Sequence, residues 1–299
     1  MLLTDLHQAY DGAFSCVAYQ VDLCLPDRMN PLSTLSRPGL TAALLILACS
    51  AQLAHADDGD AISPDRPNVA ASSQVVGDGR VQLEIGANWD RQRSDDAHVR
   101  TLNTPTLLRF GLGDTTELRV ETDGRSIEHD VDPATGARTT SAGWNATSLG
   151  FKWHFADGEG AHPALGLIGR VALPTGSSAL RGKGLLPQVE LAAEWDLPQD
   201  WSLAVTPGVG RDWDDDGVRY SYAILAASLG KKFTEHVQGF FEVAAPQIAS
   251  ATHGGKQLQV DVGLSWLLNR NCQLDAMVVR GLNRNTPDLS LAFGLSVRR

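Results

Sequence analysis

The sequence predicts an all-β chain, an antiparallel transmembrane β-barrel of about 12 strands of the outer-membrane type, and three observations predict it. Residues 81–90 alternate strictly, with apolar side chains at odd positions and polar ones or Gly at even positions. That is the side-chain period of an extended strand, over the length a tilted strand needs to cross a bilayer. The longest apolar run, residues 40–48, is too short to cross a bilayer as a helix, so no spanning helix is expected despite a hydrophobic fraction of 43%. Connections alternate between short and long, and the tryptophans fall at segment ends, as two interfacial girdles require. Alternation alone would equally suit a soluble sandwich; the loops and girdles decide for the barrel.

Taken in order, the chain opens with residues 1–28, which carry no targeting or structural pattern and read as an over-extended start. Residues 29–56 read as a signal peptide: Arg37 precedes the apolar run 40–48, and Ala54-His55-Ala56 supplies a cleavage site. Cys16, Cys24 and Cys49 lie upstream of that cut, which leaves Cys272 alone and no disulfide framework. A rival reading makes Cys49 an acylation site, although Leu47 fits such a box poorly. Residues 57–79 form an irregular lead-in or plug segment, placed either in the barrel mouth or loosely on the periplasmic side. The barrel proper is expected over 80–299.

Its strands are read at 81–90, 98–110, 115–122, 144–155, 163–173 and 186–195, then 201–211, 218–231, 236–246, 256–268, 272–282 and 288–298. Gly and Asp mark the turns at 111–114 and 156–162, and residues 123–143 read as a long polar loop. An even count suits a single-chain barrel. Trp153, Trp195, Trp201 and Trp266 lie near the short turns, while Trp89, Trp144 and Trp213 lie near the long loops.

Alternation assigns Glu84, Arg109, Glu117, Arg119, Glu121, Lys152, Arg170, Glu190, Glu194, Glu242, Asp261 and Asp275 to the lumen. A Lys or Arg facing lipid at the midplane would cost roughly 2–4 kcal/mol, so these charges cannot all point outward. Two roles stay open for them: bracing and filling the bore by mutual pairing, or lining a polar path for small solutes.

The segments Ser63-Pro64-Asp65-Arg66-Pro67, Leu102-Asn103-Thr104-Pro105, Gly111-Leu112 before Glu117-Leu118-Arg119, and Gly281-Leu282-Asn283 before Thr286-Pro287-Asp288 carry a resemblance. In order and spacing they are similar to an outer-membrane transporter family named for the meta-pathway of phenol degradation. The resemblance spans roughly residues 60–299 and implies transport of small molecules, with aromatic or hydrophobic compounds indicated by the family name alone. Barrels of this kind commonly finish on an aromatic residue read by the assembly machinery, whereas this chain finishes Ser296-Val297-Arg298-Arg299.

Other chemistry finds little support. A net charge of -10 argues against nucleic acid, whose phosphates need basic patches. Asp212, Asp214 and Asp216 have the alternate spacing of a calcium loop, but Ala223 stands where the closing Glu belongs, so the metal reading is weak. Gly176 to Lys183 departs from a phosphate loop in spacing, and Gly184 replaces its Ser/Thr. The scattered histidines form no zinc pattern. His154 could imitate a hydrolytic triad only if Ser and an acid met it, so no enzyme is expected. The expected partners are outer-membrane lipid and lipopolysaccharide, the barrel-assembly machinery and an unknown small solute, with no cofactor. The alternative is a structural or adhesive barrel with a filled lumen.

Overall fold

Alternating side chains do not satisfy a strand's backbone; only neighbouring strands do, and a closed ring leaves none of them at an edge. The computed structural model describes residues 60–214 and 216–299. The start at 1–28, the signal peptide at 29–56 and the first residues of the lead-in lie outside the described residues. The strands are β1 (Val81–Arg93), β2 (His98–Asn103), β3 (Thr106–Gly111), β4 (Thr116–Thr122), β5 (Arg125–Val131), β6 (Arg138–Trp144), β7 (Thr147–Ala156) and β8 (Ala164–Ala172). They continue as β9 (Leu186–Leu197), β10 (Trp201–Trp213), β11 (Arg219–Lys232), β12 (Val237–Ile248), β13 (Lys256–Asn269), β14 (Cys272–Gly281) and β15 (Leu289–Arg298). All pairings are antiparallel, and β15 closes on β1 from Gln82↔Arg298 to Arg91↔Leu289. The last residue joins the closure, since Arg299 N–H donates to Val81 O at 2.8 Å and Val81 N–H to Arg299 O at 2.7 Å.

The 15 strands make a barrel of 12 staves, because three staves are each broken once. β2 and β3 together face β1, β5 extends β4, and β6 extends β7. The breaks at Thr104-Pro105, Asp123-Gly124 and Asn145-Ala146 lie side by side and crease the wall. Pro105 offers no N–H to a ladder, and its carbonyl instead accepts from Gly86 at 2.9 Å. Gly124 has φ 66°, and a Cβ there would meet Thr104 O at 2.1 Å, so the crease requires glycine.

Residues 123–143 correct the expectation of an irregular loop: most of them form β5 and β6, a hairpin that prolongs the wall past the crease. Its strands carry no apolar row because neither face is against a greasy surface, and β6 is almost wholly exposed. The other strands begin and end within a few residues of the expected bounds.

The side chains sort by face. Val81 and Leu83 are each 39% exposed, while Gln82 between them is 1% and Glu84 beside them 0%. Phe151 and Trp153 stand out at 43% and 48%, with Lys152 between them at 0%. Outward Trp153, Phe155, Trp201, Phe233 and Trp266 ring the end that carries the short turns. Lys231 Nζ lies over the Trp201 ring at 5.5 Å there, and Arg219 covers Trp213 at 5.8 Å toward the other end. No helix among the described residues is long and apolar enough to cross a membrane.

Candidate functional site

The lumen holds residues 60–79. Extended chain inside a ring has no strand partner, so its N–H and C=O groups must find others, chiefly wall side chains. They are met from every side. Glu84 of β1 accepts from the Asp65 and Arg66 N–H groups, each at 3.1 Å. Glu242 of β12 takes those of Val69 and Ala70, both at 2.8 Å, and Thr206 of β10 takes that of Ala71 at 3.0 Å. Glu194 of β9 accepts from Ser73 N–H at 2.6 Å and Ser73 Oγ at 2.5 Å, and Glu117 of β4 from Val76 N–H at 2.9 Å. Carboxylates on strands thus serve as acceptors for a backbone with no ladder of its own.

Cations on β3 and β7, beside the strands of Glu84 and Glu117, take the carbonyls. Lys152 donates to Ser72 O at 2.7 Å and Gln74 O at 3.2 Å, and Arg109 to Ser63 O and Gln74 O, each at 2.9 Å. Both also reach Asp65: Lys152 Nζ lies 2.7 and 2.9 Å from its two oxygens, Arg109 Nη1 lies 4.0 Å away, and Arg119 Nη1 pairs with it directly. Arg109 is also bound to Glu84 at 3.0 Å and Glu117 at 2.8 Å. Small apolar residues complete the fit, with Ala70 against Ala226 and Ala244, and Ala71 against Ile168 and Ala192. Gly111 is needed where the chain grazes the wall, because a Cβ would meet Gly77 O at 1.6 Å.

Two cavities flank this stopper. A larger one of about 530 Å³ is lined by Arg119, Glu121, Arg170, Glu190 and Tyr222 with Leu107, Ile168 and Ile224. A smaller one of about 180 Å³ is lined by Ser202, Ser228, Gln238, Ser265 and Gln273. Residues 65–68 line both and form the partition. In the larger cavity Arg170 bridges Glu121 at 3.2 Å and Glu190 at 3.4 Å.

Of the charges assigned to the lumen, Glu84, Arg109, Glu117, Arg119 and Lys152 meet in one network around Asp65. Glu121, Arg170 and Glu190 line the larger cavity. Glu194 and Glu242 hold the stopper's backbone, Asp261 pairs across strands with Glu242, and Asp275 lies 3.9 Å from Arg66. Asp212, Asp214 and Asp216 are not brought together: Asp212 accepts from Trp213 N–H at 2.7 Å, and Asp214 from Val218 N–H at 2.7 Å and His253 Nδ1 at 2.8 Å. Among the described residues no group of three His, Cys, Asp or Glu is placed to hold a metal ion. His154 lies between Ser73 O at 3.1 Å and Asp157 at 2.8 Å, whereas the Ser73 hydroxyl donates to Glu194, so these groups do not make a triad. Sequence reasoning missed Asp65 and Arg66 as the centre of the network, along with Thr206 and the inward alanines.

A closed antiparallel ring with a greasy exterior and a charged, occupied interior is an outer-membrane-type β-barrel. The family model described as "Putative MetA-pathway of phenol degradation" matches residues 64–298, and the chain belongs to that family. Among solved structures it is similar to the COG4313 outer membrane channel of Pseudomonas putida F1, at 12% identity and a TM-score of 0.56 over 80% of this chain and 100% of that one. A weaker likeness, 13% identical with a TM-score of 0.48, is to the β domain of the Bordetella autotransporter BrkA, over 74% of this chain and 99% of that one. No curated protein matches.

Proposed function

We propose that this protein is an outer-membrane channel for small molecules whose passage is closed by its own residues 60–79. The observation that carries the reading is the partition itself: residues 65–68 line both of two cavities, of about 530 and 180 Å³, inside a closed barrel. The outward rows would lie against acyl chains, with the tryptophan rings at the headgroup levels. Membership of the family supports a role in handling aromatic or hydrophobic compounds, and the apolar patches of the larger cavity are compatible with a small hydrocarbon body. The protein's own residues act as binding and occluding groups; among the described residues His154 meets no nucleophile, and the function proposed is non-enzymatic.

The depth of the anchoring favours a second reading, in which the barrel is structural and its lumen permanently filled. Conductance separates the two. Reconstituted protein should show small, flickering steps in planar bilayers and admit small solutes into liposomes. A silent membrane, unchanged by removal of residues 60–79, would leave the structural barrel standing.

A further inference from the structure

The cations that grip the stopper are arranged as a receptor for a carboxylate, and the present occupant is Asp65. Without Asp65, Arg109 would keep Glu84 and Glu117, and Arg119 would keep Glu117 and Glu121, but the buried Lys152 ammonium would lose the carboxylate it is paired with. An ammonium buried without a counterion beside it is costly in a low-dielectric interior and calls for an anion. The geometry specifies its shape. Lys152 Nζ reaches both Asp65 oxygens, at 2.7 and 2.9 Å, and Arg119 pairs with one of them, which suits a planar two-oxygen group.

The same site borders the larger cavity, which Asp65 and Arg119 both line. Arg119 is 6% exposed, and its Nε has no hydrogen-bond partner in the protein. Toward solvent, Arg170 has its side chain 36% exposed and shares Glu121 with Arg119, so guanidinium groups lead from the cavity to the Asp65 site. Of the other carboxylates lining the cavity, Glu121 and Glu190 are engaged by Arg170 and oppose an entering anion less than free carboxylates would, while Asp123 and Asp212 share the lining with Arg211. Leu107, Ile168 and Ile224 offer a surface for a hydrocarbon body. A volume of about 530 Å³ falls within the usual size of a small-molecule site.

We infer that this cluster is a binding site for small organic carboxylates with an apolar body, and that such a solute displaces Asp65 and frees the partition at residues 65–68. The inference rests on the channel reading for its consequence, but the binding step stands apart from it. Once Asp65 is displaced, the Arg66 side chain is held to the wall by Asp275 at 3.9 Å and by contacts at 3.5 Å to Asn88 and Phe293 O, and its backbone by the Glu84 carboxylate at 3.1 Å. Asn68 is held by Ser228 at 3.0 Å.

The test uses the full protein in detergent, with sodium benzoate as probe and benzyl alcohol as its neutral counterpart. Benzoate should accelerate hydrogen exchange at the Val69, Ala70 and Ser73 amides several-fold, and benzyl alcohol should not. Asp65→Asn should bind benzoate about tenfold tighter, because wild-type affinity is reduced by the fraction of molecules whose site is already filled. Exchange indifferent to benzoate, equal effects of the two probes, or Asp65→Asn binding no tighter than wild type would each overturn the inference. If Asp65→Asn does not assemble, the wild-type exchange decides. Benzoate-driven release without any rise in conductance would uphold the site while sinking the channel reading.

Discussion

Lys152 shows how much one buried side chain can carry: its ammonium serves both oxygens of Asp65 and the carbonyls of Ser72 and Gln74, with no exposure to solvent. Lys152→Met keeps the stem and removes the charge, leaving Asp65 underpaired. The expected loss is about 3–5 kcal/mol, the usual cost of breaking a buried ion pair. It should appear as a lower temperature for loss of the compact, heat-modifiable band on gels. A second residue prediction concerns Asp214, outside the spanning strands. The Val218 N–H, and after it His253, hold its carboxyl below the ordinary carboxylate range. A depressed pKa means the contact stabilises above the ordinary carboxylate pKa and is lost as pH falls through the lowered one. Amide exchange at Val218 should therefore rise only at strongly acidic pH, and Asp214→Asn should remove that dependence.

At the scale of elements, the stopper is distinctive because acceptors for its N–H groups come from β1, β4, β9, β10 and β12 rather than from one neighbour. Hydrogen bonds to charged groups contribute roughly 1.5–3 kcal/mol each against 0.5–1.5 for neutral ones. Replacing Glu194 and Glu242 together by Gln should thus loosen residues 69–73 without disturbing the wall. The readout is more frequent opening in single-channel records with unchanged strand content by circular dichroism. The strands themselves were legible because water, lipid and lumen impose a period of two on the residues. Residues 60–79 were not, since they obey no period and their partners are remote: Lys152 lies 87 positions from Asp65. β5 and β6 escaped notice for a related reason, as a hairpin wetted on both faces loses the alternation that marks its neighbours.

For the whole molecule, the sorting of side chains is the governing fact. Outward Val262, in the middle of β13, is 56% exposed, whereas inward Asp261 beside it is 1%. Val262→Arg should cost roughly 2–4 kcal/mol of insertion stability at the bilayer midplane. The same change at Leu112, in a turn, should cost little, and urea unfolding in liposomes compares the two. The 12 staves and the inward charges could be read in advance from alternation, but not the company those charges keep. Alternation says which face a residue takes; it is silent on whether water, another wall or the chain's own beginning awaits it there.

The seam between first and last strands has a consequence for biogenesis. Because β15 zips onto β1 over ten register pairs, the ring cannot shut until the chain's final residues have emerged. The stopper precedes β1 in the chain, so it is made before the enclosure that will surround it. Curling the sheet around a segment already present avoids threading a bulky strand through a finished tube. Nascent protein truncated before residue 289 should therefore leave that segment open to protease, and restoring the final strand should protect it.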